Sequence, residues 1–207
     1  IAAERGSECE RENEQRDEGD EGVVGDAGGE ERDLVATRAR EGATTVLDGL
    51  DHLWDAEREH YGMRLIDGDL DDRLDAASLA LVEAVVACED ADGIAVSERQ
   101  LGRLARHVDG ALSGLFRDPP GSDVAGLIRY EGDDWRTANQ SAPKVWSVAT
   151  GLGAIAAARL GVLLTERGQG GGGFLERAGG LYELLGADGP FATDAGYLAE
   201  QVYDDGT

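Results

Sequence analysis

Two stretches of this sequence predict helices that are apolar on almost every side. In residues 72–88, apolar side chains recur at helical spacing on one face, and alanines fill most of the other positions. Residues 143–167 are equally apolar, and Pro143 suits the first position of a helix. A helix without a polar face is normally buried among other elements. The chain is therefore expected to have an all-α fold with these two helices inside.

Two further helices are predicted from their end signals. Residues 97–118 begin with a capping box, Ser97 and Gln100, and end before a Pro-Pro pair that no helix interior tolerates. Residues 174–185 form a shorter helix that stops at a glycine, after a glycine run at 169–173 that is expected to be a flexible connection. No segment shows the alternation of a strand with comparable quality.

A fifth helix is predicted to begin at Asp33. Its apolar face consists of Leu34, Val46, Leu47, Leu50, Leu53 and Trp54. The segment before it, residues 1–33, carries 13 acidic residues and almost no apolar ones. Such a segment cannot bury enough surface to offset its ordering entropy. We therefore expect a disordered segment or insertion at 1–33 and a helical domain at 34–207.

The charge balance excludes several classes of partner. The chain has 43 acidic and 19 basic residues, a net charge of −24, and Lys144 is its single lysine. Nucleic acid and anionic membranes are disfavoured, because both bind clustered cations. No apolar run is expected to reach the roughly 20 residues of a membrane span. The composition is typical of halophilic archaeal proteins, in which salt screens carboxylate repulsion. This composition suits both the cytoplasm and the outside of a salt-adapted cell; a cytoplasmic location is expected, with secretion as the alternative.

The sequence offers no metal or phosphate site. Three histidines and two cysteines are scattered without metal-ligand spacing, and Cys88 is expected to be a small core residue. The glycines at 170–173 have no preceding strand and no phosphate-binding lysine. We therefore expect a protein that works without a metal or another cofactor.

Carboxylates and aromatic residues gather in the loops instead. They occur at 129–135, at Trp146 and at 198–201, and residues 121–142 form a long loop of a kind that tends to be functional. Sugars present flat apolar faces edged by hydroxyls, so their sites combine tryptophan with charged or amide groups. Glycoside hydrolysis also needs two carboxyl groups. Taken alone, however, an Asp-Asp pair in so acidic a chain is more often a solvated turn.

Three stretches carry motifs in a consistent order. Residues 126–133 read GLIRYEGD and are followed by Trp146 in WSVAT; residues 196–206 read GYLAEQVYDDG; and Trp54 precedes LDAASL at 74–79. They resemble segments of the glucoamylases of glycoside hydrolase family 15. Those segments read G-hydrophobic-x-R-Y-P-x-D with N-P-W-F-x-x-T, then E-Q-x-D-x-x-x-G, and, in bacterial and archaeal members, W…LDASLL. The resemblance covers about residues 45–207.

This resemblance implies a fold, an activity and a set of site residues. The fold would be part of a barrel of paired helices, six inner and six outer, known as an (α/α)6 barrel. The activity would be that of an inverting, exo-acting α-glucosidase that releases glucose from α-glucans or from an α-glucoside such as trehalose. Glu200 stands at the family's general base, and Arg129 and Trp146 stand at residues that hold the terminal sugar. Further candidates for substrate binding in the same motifs are Tyr130, Asp133 and Gln201.

The sequence departs from the family pattern at several points. Glu131 replaces the proline after the Arg-Tyr pair, and two extra residues precede Trp146. An inverting mechanism also needs a general acid about 6.5–9.5 Å from the base. The family's tryptophan- and glutamate-rich acid motif has no good match before residue 45, and Glu57 in LWDAERE is the weak candidate. The preferred interpretation is that the acid is missing from this chain.

Three hypotheses therefore stand at this point. The first is a part of an inverting glucosidase, completed by the remainder of its catalytic domain or by a second copy. The second is a non-catalytic helical module derived from the same fold, which binds carbohydrate or takes part in assembly. The third is a halophilic helical domain whose motif matches are accidental. A barrel piece with about five helices would leave apolar faces exposed in either of the first two cases.

Overall fold

The protein is mostly helical. The structure, a computed structural model, describes residues 27–89, 94–118, 124–133 and 144–202, and about 58 % of them are helical. The α-helices in these ranges are α1 (Ala27–Gly49), α2 (Leu81–Glu89), α3 (Glu98–Leu115), α4 (Ser147–Glu166) and α5 (Gly172–Leu184). One 3₁₀ helix, Leu50–Leu53, follows α1, and another, Ala76–Ala80, precedes α2. Of the predicted all-α fold, the coarser part is confirmed: the chain is mostly helical.

Short antiparallel strand pairs connect the helices, and the sequence did not predict them. The pairs in the described residues are β1 (Trp54–Asp55) with β2 (His60–Tyr61), β3 (Arg64–Ile66) with β4 (Asp69–Asp71), β5 (Phe116–Arg117) with β6 (Gly126–Leu127), and β7 (Val145–Trp146) with β8 (Gln201–Val202). Each strand has two or three residues, which is too few for a period of two to be visible in the sequence.

Helix α3 starts where its capping box predicts. The Ser97 hydroxyl accepts a hydrogen bond from the Gln100 N–H at 3.2 Å, and the Gln100 side chain accepts one from the Ser97 N–H at 2.9 Å. The buried face of α3 is apolar except for one histidine, and consists of Leu101, Leu104, His107, Val108, Ala111, Leu112 and Leu115. The predicted start of this helix, and its end before the prolines, are confirmed.

The two apolar helices begin later than the sequence predicted. α4 starts at Ser147, because the two residues before it are extended in β7 and pair with β8; Pro143 lies outside the described residues. The run predicted from residue 72 becomes helical at Ala76, because Asp75 is extended and caps the 3₁₀ helix. In both cases a backbone pairing with a distant segment overrides the local apolar pattern.

Helix α1 crosses the predicted boundary at residue 33. It begins at Ala27, so the end of the segment expected to be disordered is helical, while residues 1–26 lie outside the described residues. Glu, Arg and Ala favour a helix there. The chain divides into two units, Ile1–Ala36 and Thr37–Thr207. Leu47 is buried as predicted, but Leu34 and Val46 are exposed, so the apolar face is shorter than the sequence indicated.

Helix α4 lies at the centre of the core. It packs against α5, α2, α3 and the 3₁₀ helix Ala76–Ala80, and 11 of its residues are buried. By length and composition alone it could cross a membrane, since it has 20 residues and a mean hydropathy of 1.7 over its most apolar window. The prediction that no apolar run reaches this length is therefore wrong. Packing in the core accounts for much of this apolar character.

One face of α4 is nevertheless exposed. Val148, Ile155 and Val162 follow one another at intervals of seven residues and are 64 %, 52 % and 48 % exposed. Ala84 and Ala87 of α2 are exposed as well. The prediction that both apolar helices are buried on all sides is therefore wrong for this part of the fold.

Helices α4 and α5 approach closely at two glycines. Gly171 is buried just before α5, and a Cβ placed on it would overlap the carbonyl oxygen of Gly161 in α4. A Cβ on Gly161 would in turn lie 2.8 Å from Leu175. The glycine run at 169–173 was expected to be only a flexible connection. At Gly171 it is instead a packing contact that fixes the hairpin of α4 and α5.

Gly171→Ala is expected to lower the free energy of unfolding by about 2 kcal/mol or more, because α5 has to move away from α4. The control is Gly179→Ala inside α5, where a Cβ would have open space. It is expected to raise the free energy of unfolding by about 0.5–1 kcal/mol, since alanine favours a helix. Urea denaturation in salt measures both changes. Equal effects of the two substitutions would contradict the close approach.

A fully buried histidine connects α3 to two other elements. His107 Nδ1 accepts the Tyr61 N–H at 3.2 Å, so the ring proton is on Nε2, which donates to Ser78 Oγ at 2.9 Å. Burial, and second the charge of nearby His60, lower the pKa of His107 to about 4. The neutral imidazole is therefore the form that holds α3, β2 and the 3₁₀ helix Ala76–Ala80 together.

This histidine is expected to make stability fall on acidification. Below pH 6.5 the unfolded chain protonates His107, whereas the folded protein does so only near pH 4. Protonation in this window favours the unfolded state, so the wild type loses on the order of 3 kcal/mol as the pH falls from 6.5 to 4. His107→Gln removes the titrating group. The difference in unfolding free energy between the two proteins, measured across this window, should change with pH; a constant difference would contradict the assignment.

Candidate functional site

A cavity of about 380 Å³ lies at the N-terminal end of α4. Its lining comes from four segments that are far apart in the sequence: Asp75, Ala76 and Ala77; Arg129 and Tyr130; Trp146, Val148, Ala149 and Leu152; and Glu200. The walls are mostly apolar, and the charged groups among the described lining residues are one guanidinium and two carboxylates. Such a mixture of apolar wall and a few polar groups is typical of small-molecule sites.

The pairing of β7 with β8 places Glu200 beside Trp146. Trp146 lies opposite Gln201 in the register, and Glu200 directly precedes Gln201. The Glu200 carbonyl oxygen accepts hydrogen bonds from the Ser147 N–H at 3.0 Å and from Ser147 Oγ at 3.2 Å. The backbone of Glu200 is thus fixed at the start of α4, while its side chain is exposed at the cavity.

Thr150 links the strand of Trp146 to the segment of Arg129. It is fully buried, and its hydroxyl donates to the Trp146 carbonyl oxygen at 2.8 Å. The same hydroxyl accepts the Leu127 N–H at 3.0 Å. Leu127 is in β6, two residues before Arg129. One hydroxyl therefore joins two of the segments that line the cavity.

The side chain of Arg129 is fixed from two directions. Asp133, which is buried, accepts hydrogen bonds from Arg129 Nε at 2.8 Å and from Nη2 at 2.7 Å. The guanidinium carbon lies 4.3 Å from the centre of the Trp146 ring. The hydrogen bonds to Asp133 hold the pKa of Arg129 above its usual value. The result is a permanent cation stacked on an aromatic face at the cavity wall.

The segment that carries Arg129 is paired with the segment before α2. The Ala76 N–H donates to the Arg129 carbonyl oxygen at 2.7 Å, and the Glu131 N–H donates to the Leu74 carbonyl oxygen at 3.0 Å. Glu131 also accepts hydrogen bonds from Arg58 Nη2 at 2.7 and 2.8 Å. Burial alone would raise the pKa of Glu131, but these bonds lower it overall. The residue that departs from the family pattern is therefore a structural anchor.

Trp146 has an unused hydrogen-bond donor in the described structure. Its ring is buried, and its Nε1 has no hydrogen-bond partner among the described residues. A buried donor of this kind is normally paired. An aromatic ring, a guanidinium and two carboxylates in a mostly apolar wall together suit a ligand with apolar faces and several hydroxyls.

Four of the predicted site residues line this cavity: Glu200, Arg129, Tyr130 and Trp146. Asp133 does not line it but holds Arg129. Gln201 lies opposite Trp146 on β8 and is not part of the lining. Glu57 is in the exposed turn between β1 and β2, where its N–H donates to Asp55, and it is outside the cavity. Trp135 lies outside the described residues.

Sequence reasoning missed Asp75 as a lining residue. The only signal was its position in LDAASL, one of the stretches that carry the resemblance. A second cavity of about 480 Å³ lies between the end of α3 and α5, and its lining, which includes Leu112, Phe116 and Leu181, contains none of the predicted site residues. Among the described residues, no group of three or more histidines, cysteines or acids is placed to hold a metal ion.

Comparison with known proteins adds nothing to this description. No protein-family model, curated protein or solved structure matches the chain. The resemblance to glycoside hydrolase family 15 therefore rests on the motifs alone, and the function has to be argued from the cavity.

Asp133→Asn is expected to lower the free energy of unfolding by about 1–3 kcal/mol, because it breaks the bidentate ion pair with Arg129 in a partly buried place. Asp188→Asn, at an exposed turn, is the matched control and should change stability by less than about 0.5 kcal/mol. Urea denaturation of both variants at one salt concentration gives the comparison. If Asp133→Asn is as harmless as the control, the ion pair does not hold Arg129.

Proposed function

We propose that this chain is part of an inverting, exo-acting α-glucosidase of the glucoamylase type, in glycoside hydrolase family 15. The observation that carries the proposal is the meeting of Arg129, Tyr130, Trp146 and Glu200 at one cavity. These residues were selected from motifs in separate segments. An accidental motif match gives no reason for the segments to meet around a space of suitable size and chemistry.

Each residue at the cavity has a role in the proposed reaction. Trp146 packs its ring against the terminal glucose, and Arg129 donates hydrogen bonds to hydroxyls from a side chain that is already fixed. Glu200 is the general base: its exposed carboxylate takes a proton from a water molecule, which attacks the anomeric carbon from the face opposite the leaving group. Attack from that face inverts the configuration, so the product is β-glucose.

The general acid belongs, in this proposal, to residues outside the described cavity lining. Asp75 and Glu200 are the carboxylates among the described lining residues, and Glu57 is outside it. A general acid needs a raised pKa at the opposite face of the sugar. The chain therefore supplies the base and part of the glucose site, and the acid comes from another part of the catalytic domain.

The exposed face of α4 supports the same proposal. Val148, Ile155 and Val162 form an apolar stripe, defined by these three residues, that begins at the cavity. In an (α/α)6 barrel such a face is covered by further helices. We propose that the remainder of the catalytic domain, or else a second copy of this chain, covers it.

A non-catalytic carbohydrate-binding or assembly module is the second candidate. The position of Glu57 outside the cavity favours it, because the one acid candidate that the sequence offered is then not in the described lining. In that case the cavity binds an α-glucoside without hydrolysing it.

Glu200→Gln is expected to abolish glucose release in the protein expressed from its complete reading frame, by about a thousandfold or more, because the attacking water loses its base. Binding of maltose should change little. Glu57→Gln is the matched control and should keep full activity. Hydrolysis of maltose, soluble starch and trehalose in molar salt, followed by NMR of the first anomer released, tests the proposal. α-Glucose as the first product would contradict inversion, and a wild type that binds maltose but hydrolyses no α-glucoside would favour the binding module.

A further inference from the structure

Asp75 lies in the cavity wall at the junction of two segments. It is half-buried between the 3₁₀ helix Ala76–Ala80, which it caps, and Tyr130, with which it forms an antiparallel bridge. Its charge also contributes to the raised pKa of Arg129, after the larger effect of Asp133. Asp75 and Arg129 line the same cavity, so both can contact one ligand there.

The backbone of Asp75 is fixed by a chain of hydrogen bonds from the core. Its carbonyl oxygen accepts the Ser78 N–H at 3.0 Å and Ser78 Oγ–H at 2.5 Å. Ser78 Oγ accepts in turn from the buried His107 Nε2–H at 2.9 Å. These hydrogen bonds fix the backbone that carries the Asp75 carboxylate before a ligand arrives, which lowers the entropy cost of binding.

The two carboxylate oxygens of Asp75 have different surroundings. Oδ1 accepts the Ala77 N–H at 2.9 Å, as expected for a helix cap. No hydrogen bond between described residues uses Oδ2. A carboxylate held by one oxygen at a cavity wall presents the other as a charged acceptor. A hydroxyl is a suitable donor to it, because hydrogen bonds to charged groups are stronger than neutral ones.

We propose that Asp75 is a further binding residue of this cavity and that its Oδ2 accepts a hydrogen bond from a hydroxyl of the bound glucosyl unit. The proposal rests on the proposed function, since it takes an α-glucoside as the ligand. In this arrangement the Arg129 guanidinium donates hydrogen bonds to ligand hydroxyls, and the Asp75 carboxylate accepts them. The two residues together therefore favour a ligand whose hydroxyls act both as acceptors and as donors.

Asp75→Asn tests this directly, because asparagine caps a helix as well as aspartate does and the fold should be retained. Binding of methyl α-glucoside to the protein expressed from its complete reading frame should weaken by about tenfold to a hundredfold, through loss of a charged hydrogen bond. Asp69→Asn, at the exposed first residue of β4, is the matched control and should leave binding unchanged. Urea denaturation should show equal stability for the wild type and Asp75→Asn.

Monodeoxy analogues of methyl α-glucoside distinguish a direct contact from a general disturbance. The analogue that lacks the hydroxyl bound by Asp75 should bind the wild type about as weakly as the parent sugar binds Asp75→Asn. The affinity of the same analogue for Asp75→Asn should be only slightly lower than its affinity for the wild type. Equal losses for every analogue in both proteins, or unchanged binding by Asp75→Asn, would overturn the role of Asp75 while the wild type still binds. A wild type that binds no α-glucoside would overturn the proposed function as well.

Discussion

The burial of α4 is the constraint on which both the core and the cavity depend. This helix contacts α5, α2, α3 and the 3₁₀ helix Ala76–Ala80, so its position sets the positions of the others. Its far end is fixed by the close approach of Gly161 and Gly171. At its other end, Trp146 directly precedes the first turn, and Ser147 donates two hydrogen bonds to the Glu200 carbonyl oxygen. Because both ends of α4 are held in this way, the α4 residues that line the cavity have a fixed position.

Polar contacts fix the other segments of the cavity lining relative to α4. Thr150 joins β6 to the Trp146 carbonyl, Asp133 holds Arg129 over the Trp146 ring, and the Ala76 N–H pairs with the Arg129 carbonyl. These groups are buried or half-buried, where a hydrogen bond lost is costly because its partner is left in an apolar place. Trp146 and Arg129, which line the cavity, are therefore fixed in part by Thr150 and Asp133, which do not line it. A ligand therefore binds to side chains that are already in place, which lowers the entropy cost of binding.

The sequence predicted those features that depend on local signals. The capping box of Ser97 and Gln100 places the start of α3, and the apolar runs identify α2 and α4, because helical spacing and caps act within a few residues. The β7–β8 pairing and the late start of α4 were not predictable in this way, since they depend on residues more than 50 positions apart. The exposed stripe on α4 was also missed, because apolar composition alone does not say which neighbours are present.

The sequence predicted most residues of the candidate site but not the contacts that hold them together. Arg129, Tyr130, Trp146 and Glu200 came from motifs, and their meeting at one cavity required the fold. Asp75 was overlooked because an aspartate just before a helix is already explained as a helix cap, so its presence did not indicate a binding role. A crystal structure of the protein with bound maltose tests the central claim most directly. The account predicts the terminal glucose against Trp146, with hydroxyls at Arg129 and Asp75 and its anomeric carbon facing Glu200. Maltose bound elsewhere, with this cavity empty, would contradict it.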